Sequence, residues 1–191
     1  MSGKSVKEPE LTFYGKLATF DDLKRAAYVL RQAQYQRREG DLRIRVRREV
    51  CPKGVTSYEF TNKLGSGANV QETTIPTTEM MFVAFREWNQ KGGMVKDRYV
   101  YPIPRIEGYL VDGEPFDLKW EVDVFPDGQG GYHPWVKIDL EFGVQADGSV
   151  VLPEDVPEMP IVFTQVISGW TEDPAEQAVI SRLYETMFLS K

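Results

Sequence analysis

The sequence predicts an α+β fold that is mainly β, built from antiparallel strands with flanking helices. Segments rich in β-branched and aromatic residues recur along the chain between clusters of Gly, Pro, Asn and Asp. Charged and apolar side chains alternate within these segments, as they do in strands whose two faces have different surroundings. At 191 residues and 41% hydrophobic, the chain is expected to form one domain, 1–191. The predicted strands cover residues 10–17, 42–50, 57–64, 69–74, 96–102, 105–111, 118–125 and 134–144.

Three helices are predicted around these strands. Residues 21–38 carry apolar side chains at helical spacing, with Thr19 placed to cap the start and Gly40 just beyond the end. The other two helices cover 78–91 and 173–189, and the first nine residues are expected to be a flexible start.

Composition excludes several classes of function. The formal net charge of −6 argues against nucleic-acid binding through the field of the whole molecule, and no sequence-specific nucleic-acid partner is expected. His133 is the single histidine, which leaves no basis for a histidine zinc site and little for a Ser-His-Asp triad. Cys51 is the single cysteine, and neither a signal peptide nor a membrane span is visible, so a cytoplasmic location is expected.

The charged faces of the strands are the most informative feature. Arg43, Arg45 and Arg47 share one face of a strand, and carboxylates occupy alternate positions on two others, at 121 and 123 and at 139 and 141. A sheet with one face on a core and the other in water would produce the same alternation. Like charges this concentrated repel each other, however, unless counter-charges lie among them. A closed or nearly closed barrel with a polar interior would place cations and carboxylates opposite one another, where they could bind an anion.

Five segments resemble, in chain order, the strands of the CYTH or triphosphate tunnel family, which includes thiamine triphosphatase, inorganic triphosphatases and class IV adenylate cyclases. They are Leu42-Arg43-Ile44-Arg45, Phe60-Thr61-Asn62-Lys63, Lys96-Asp97-Arg98-Tyr99, Trp120-Glu121-Val122-Asp123-Val124-Phe125 and Lys137-Ile138-Asp139-Leu140-Glu141-Phe142. The first strand departs from the E-x-E-x-K motif of that family, because it reads Glu10-Leu11-Thr12-Phe13-Tyr14. An alignment that pairs Glu8 with Glu10 instead puts Thr12 at the lysine position.

The resemblance implies an eight-stranded tunnel and metal-dependent hydrolysis of a triphosphate, either inorganic or attached to an organic group. Loss of the second motif acid at Thr12 leaves an alternative, in which the protein binds a nucleotide or polyphosphate without hydrolysis. A class IV type of adenylate cyclase is a third hypothesis. Proteins of this family often form dimers, so a homodimer is one option for the oligomeric state, which the sequence leaves open. Segments 102–117 and 126–134 are candidates for recognising the organic end of the ligand.

The resemblance also implies a role for each charged residue. Phosphate oxygens would bind Arg43, Arg45, Lys63, Lys96 and Arg98, because cations, and the planar fork of arginine above all, suit phosphate. Magnesium or manganese would bind Glu10, Asp139 and Glu141. The catalytic carboxylates would be Glu141, Asp139, Glu10 and Asp123. Glu72 and Glu121 would be supporting acids, and Glu59 and Lys137 are weaker candidates for the tunnel lining.

Overall fold

A computed structural model describes residues 10–65, 71–89, 93–147 and 149–188, and these contain a nine-stranded antiparallel sheet. The strands are β1 (Glu10–Leu17), β2 (Tyr28–Glu39), β3 (Leu42–Val50), β4 (Thr56–Leu64), β5 (Gln71–Pro76), β6 (Gly93–Pro102), β7 (Leu110–Val111), β8 (Glu114–Pro115), β9 (Lys119–Val124), β10 (Trp135–Glu141), β11 (Gly143–Val144), β12 (Val150–Val151) and β13 (Phe163–Ser168). The order across the large sheet is β13-β1-β10-β9-β6-β2-β3-β4-β5. Two small sheets of two strands each are separate from it: β7 pairs with β8, and β11 pairs with β12.

The helix predicted over 21–38 is wrong. A short 3₁₀ helix, Phe20–Arg25, is followed after two residues by β2, which lies in the interior of the sheet between β6 and β3. Thr19 does act as the N-cap, since its hydroxyl accepts a hydrogen bond from the backbone of Asp21. Gly40, with φ of +60°, lies in the turn that joins β2 to β3. Pairing along both edges of β2 decides the conformation of this segment.

The expectation of a closed, eight-stranded barrel is corrected by the sheet order. β13 pairs with the outer edge of β1, the edge that a closed barrel would need for pairing with β5. In the part of the chain that the structure describes, no pairing joins β5 to β13, so the sheet is curved but open.

The main hydrophobic core lies on the outer, convex face of the sheet. Trp120, Val122, Ile138 and Leu140 are almost fully buried there. Segments between the strands cover these side chains from outside, with Tyr109 and other apolar residues packed against them. Residues 105–111, predicted as a strand, mostly belong to this covering layer, and only β7 is extended. The concave face is therefore left to the charged side chains.

Two helices complete the fold. α1 (Glu79–Trp88) begins at Thr78, as predicted, and packs Phe82 and Phe85 against Val46 on the convex face. α2 (Pro174–Phe188) also begins where predicted, with the Asp173 carboxylate accepting from a backbone amide of its first turn. In the described residues, neither helix combines the length and the apolarity needed to cross a membrane.

The remaining strand predictions hold in their essentials. β3 has the bounds predicted from its sequence, and β1, β4, β6, β9 and β10 lie within a few residues of theirs. β13 was not predicted. The first nine residues, part of the segment 69–74, and the last residues of the helices predicted over 78–91 and 173–189 lie outside the described residues.

Candidate anion-binding site

The concave face of the sheet forms a charged trough with a volume of about 700 Å³. Eight of the nine strands contribute to its lining, since alternate residues of each strand point to the same side. In the described chain it is lined by eight cations, Arg43, Arg45, Arg47, Lys63, Lys96, Arg98, Lys119 and Lys137, and by eight carboxylates, Glu10, Glu49, Glu59, Glu72, Glu121, Asp123, Asp139 and Glu141. The lining is therefore balanced in charge at neutral pH.

Arginines of β3 and a lysine of β4 form a basic wall. Arg45 contacts Glu72 of β5, with 3.3 Å between Nη2 and Oε1, and Lys63 contacts the same carboxylate. Burial disfavours ionisation of Glu72, but the adjacent Lys63 and Arg45 outweigh burial and lower its pKa. Arg47 pairs with Glu59. Arg43 has no ion-pair partner among the described residues, although it is half-buried in the trough wall.

The floor of the trough is a buried charge network between β6 and β9. Arg98 donates from Nε to Asp123 Oδ1 at 2.7 Å and from Nη2 to Oδ2 at 3.0 Å, and it also contacts Glu121. Lys96 contacts Asp123 as well. Burial opposes ionisation of Asp123, but Arg98 and Lys96 hold the pKa of its carboxyl well below the usual range. Burial lowers the pKa of Lys96 to about 8, despite the Asp123 carboxylate beside it.

Two buried amides lie beside this network on β2. Gln32 donates to Glu49 Oε2 at 2.7 Å, and the amide nitrogen of Gln34 faces the sulfur of Met94. The side-chain oxygens of both glutamines are buried without a partner in the described residues. Buried polar atoms of this kind usually have a partner, which here can be solvent or a ligand in the trough.

Carboxylates of β1 and β10 form an acidic wall opposite the basic one. Strand pairing places Glu10 beside Glu141 and Thr12 beside Asp139. Lys137 Nζ lies 2.6 Å from Asp139 Oδ1 and 3.8 Å from Glu10 Oε1. Burial alone would lower the pKa of Lys137, but Asp139, Glu10 and Asp123 outweigh it and raise that pKa.

Glu141 differs from the other carboxylates of the acidic wall. Its only ion pair in the described chain is with Lys119, at 3.4 Å, and Lys119 lies closer to Glu121, at 2.6 Å. Burial and repulsion from Glu121 raise the pKa of Glu141. Burial and the neighbouring Glu121 therefore favour the protonated form of Glu141, while Lys119 opposes it.

The carboxylates predicted to bind a metal ion do not form a metal site as they lie. Among the described residues, no three acidic, histidine or cysteine side chains are grouped so that they could hold a metal. Lys137 contacts both oxygens of Asp139, and the Thr12 hydroxyl donates to one of them at 2.8 Å. Magnesium or manganese stays a prediction, and the present arrangement does not fit it.

One end of the trough is bordered by α2 and the turn before it. The hydroxyls of Tyr14 and Tyr184 lie 2.6 Å apart, and Leu183 packs near Met94. Burial raises the pKa of Tyr14 well above its usual range, so this hydroxyl stays neutral. Trp170, in the turn, is 66% exposed and borders the trough.

The structure brings all eleven residues predicted for the site into this one trough, while their individual roles stay predictions. Glu59 and Lys137, the weaker candidates, also line it. Lys119, Gln32, Gln34 and Trp170 were missed, and the alternation along the strands could have identified Lys119. The candidate recognition segments 102–117 and 126–134 do not line the trough in the described residues. Their apolar side chains pack on the convex core instead.

Comparisons with known proteins give similarity at the level of structure only. No protein-family model matches the chain, and no curated protein matches it significantly in sequence. Among solved structures, the inorganic triphosphatase NE1496 is 17% identical over 92% of this chain and 96% of its own, with a TM-score of 0.47. A second structure of NE1496, described as a hypothetical protein, is 20% identical over 73% of this chain and 78% of its own, with a TM-score of 0.41.

A provisionally assigned adenylate cyclase from Bacillus halodurans is also similar. It is 13% identical over 100% of this chain and 94% of its own, with a TM-score of 0.40. The neighbours thus include one protein described as an inorganic triphosphatase and one described as an adenylate cyclase, two activities named with the CYTH resemblance. All three TM-scores are below 0.5, so the proposals below rest on the chain's own side chains.

Proposed function

We propose that this protein binds a small molecule bearing a triphosphate, either inorganic triphosphate or a nucleoside triphosphate, in the trough. The observation that carries the proposal is the row of Arg43, Arg45 and Arg47 on β3, with Lys63 beside it on β4, facing into the trough of about 700 Å³. A volume of this size is typical of sites for small molecules.

The row offers several hydrogen-bond donors to a polyanion. Alternate residues of a strand are about 6.7 Å apart, so the three arginines extend along about 13 Å of the trough wall. Lys96 and Arg98 add positive charge at the floor. Arginine side chains are long enough to converge on one polyanion, and each guanidinium can donate two hydrogen bonds to its oxygens. A single phosphate has too few oxygens to accept from all of these donors.

The ligand would enter by exchange of ion pairs. Apart from Arg43, the cations of the basic wall already contact carboxylates such as Glu59 and Glu72. A triphosphate would therefore compete with these carboxylates for the same donors. A compact ligand with several negative charges competes well, whereas a single sulfate or phosphate has too few contacts to do so.

Isothermal titration calorimetry tests the proposal directly. Inorganic tripolyphosphate and ATP are titrated into the full chain, with orthophosphate and sulfate as matched simple anions. We expect saturable binding of at least one triphosphate at one site per chain, and binding of the simple anions at least about tenfold weaker. Equal, weak heats from all four anions would show that the trough is not a triphosphate site.

Hydrolysis of the bound triphosphate is a second candidate, and the state of Glu141 favours it. This half-buried carboxyl borders the trough, and its raised pKa makes it a candidate to orient or deprotonate water. The water oxygen would bond to the terminal phosphorus, and Glu141 would take up the proton of the water. The bridging P–O bond would break, with pyrophosphate as the leaving group from inorganic triphosphate and the nucleoside diphosphate as the leaving group from a nucleotide. The wall cations would stabilise the charge that develops.

A phosphate-release assay separates hydrolysis from binding alone. Release from tripolyphosphate that falls at least about a hundredfold in Glu141→Gln, with binding retained, supports hydrolysis. No release above the uncatalysed rate, with or without magnesium or manganese, leaves a binding protein.

A further inference from the structure

We propose that Lys137 supplies from within the chain the positive charge that a divalent cation would bring to the acidic wall, so the trough binds a triphosphate without a metal ion. The inference rests on the proposed function and concerns the same site.

The position of the Lys137 ammonium is the first observation. Nζ lies 2.6 Å from Oδ1 and 2.5 Å from Oδ2 of Asp139, and 3.8 Å from Oε1 of Glu10. A magnesium ion bound by these two carboxylates would need their oxygens at about 2.1 Å. It would then lie within a few ångströms of the ammonium, where like charges repel strongly because little water separates them.

The surrounding side chains reinforce this arrangement. Asp139 is almost fully buried, and the Thr12 hydroxyl donates to it at 2.8 Å, so its oxygens are engaged by Lys137 and Thr12. The remaining carboxylate, Glu141, is paired with Lys119 instead. Displacing one partner of a buried, hydrogen-bonded ion pair costs free energy, because the other charge is then left buried and unpaired.

The same ammonium is available to the ligand. Lys137 lines the trough and its side chain is 21% exposed. Lys96 and Arg98 lie at the floor on β6, which is separated from the Lys137 strand by β9. A phosphate group at this end of the trough would therefore meet lysine and arginine donors directly. A bridging metal between the carboxylates and the phosphate is not required.

The experiment compares triphosphate binding in EDTA with binding in magnesium or manganese. Inorganic tripolyphosphate is titrated into the full chain by calorimetry, with the affinity of each metal for tripolyphosphate itself taken into account. We expect dissociation constants in EDTA within about threefold of those in metal. Binding that appears only with metal, or is at least about tenfold tighter with it, overturns the inference but leaves the proposed function intact. No binding under either condition overturns both.

Variants add a measurement that does not depend on the triphosphate. Lys137→Gln removes the internal cation from Glu10 and Asp139, and Lys16→Gln is the matched control, an exposed lysine that does not line the trough. Electron paramagnetic resonance of Mn²⁺ should show no tight manganese in the wild type or in Lys16→Gln, and about one bound ion per chain in Lys137→Gln. Tight manganese binding by the wild type would refute the inference even if Lys137→Gln fails to fold.

Discussion

Replacement of Arg43 by glutamine tests whether the basic wall holds the ligand. Arg43 lines the trough but has no ion-pair partner in the described chain, so Arg43→Gln should leave the free protein's unfolding free energy within about 0.5 kcal/mol of the wild type. Hydrogen bonds from a charged donor contribute about 1.5–3 kcal/mol. The loss of those bonds should raise the dissociation constant for tripolyphosphate about 10- to 150-fold.

Arg48→Gln is the matched control for this experiment. Arg48 lies on the same strand and changes the net charge equally, but it is exposed, and its guanidinium lies 6.0 Å from the Phe82 ring on the convex face. Calorimetric titration of both variants should show a large loss of affinity for Arg43→Gln and almost none for Arg48→Gln. Equal losses would mean that only net charge matters, and no loss in Arg43→Gln would refute the assignment of the wall.

Three further predictions follow from the geometry. Because Lys96 has a pKa of about 8, its side chain loses its positive charge as the pH rises through that value, and the affinity for tripolyphosphate should decrease. Equal affinities measured below and above pH 8 would contradict this prediction. A Cβ on Gly15 would lie 2.4 Å from a ring carbon of Phe163, so Gly15→Ala should destabilise the fold by about 1–3 kcal/mol in chemical denaturation. An unchanged denaturation midpoint would show that β13 shifts freely. Base stacking contributes about 1–3 kcal/mol, so Trp170→Ala should weaken ATP binding about 5- to 150-fold and leave tripolyphosphate unaffected. Equal effects on both ligands would rule out stacking.

The strands with strict alternation were predictable, and so was the set of residues in the trough. Once Arg43, Arg45 and Arg47 were placed on one face of β3, the period of two fixed the other face as Leu42, Ile44 and Val46. The same reasoning placed Glu121 with Asp123 and Asp139 with Glu141. Alternation is a local property, which explains why it can be read from one segment at a time.

β2 shows where local reasoning fails. Its sequence is rich in Gln and Arg, which are good helix formers, and its apolar residues also fit helical spacing. The alternation of Leu30, Gln32, Gln34 and Gln36 toward the trough is equally regular but mostly uncharged, so it gave a weaker signal. β2 pairs on one edge with β3, the next strand in the chain, and on the other edge with β6, which is distant in sequence. These two pairings together settled the conformation.

The partners inside the site were beyond sequence reasoning for a similar reason. Lys137 neutralises Glu10 only because β1 and β10 are neighbours, and Arg98 reaches Asp123 only because β6 lies beside β9. Strand order and register are set by the whole sheet. The residue types that line the trough were therefore foreseeable from the sequence. The ion pairs between their side chains, which decide whether the carboxylates can bind a metal ion, were not.

The hairpin of β2 and β3 ties the binding site to correct folding. A shift of β3 by one residue against its neighbours would turn the arginines outward and bring Ile44 and Val46 into the trough. Such a shift would remove Val46 from its contact with Phe82 of α1, and it would remove the arginines from the anion site at the same time. Any ligand that binds the trough therefore stabilises only the correctly aligned sheet, and its presence during refolding should raise the yield of that form.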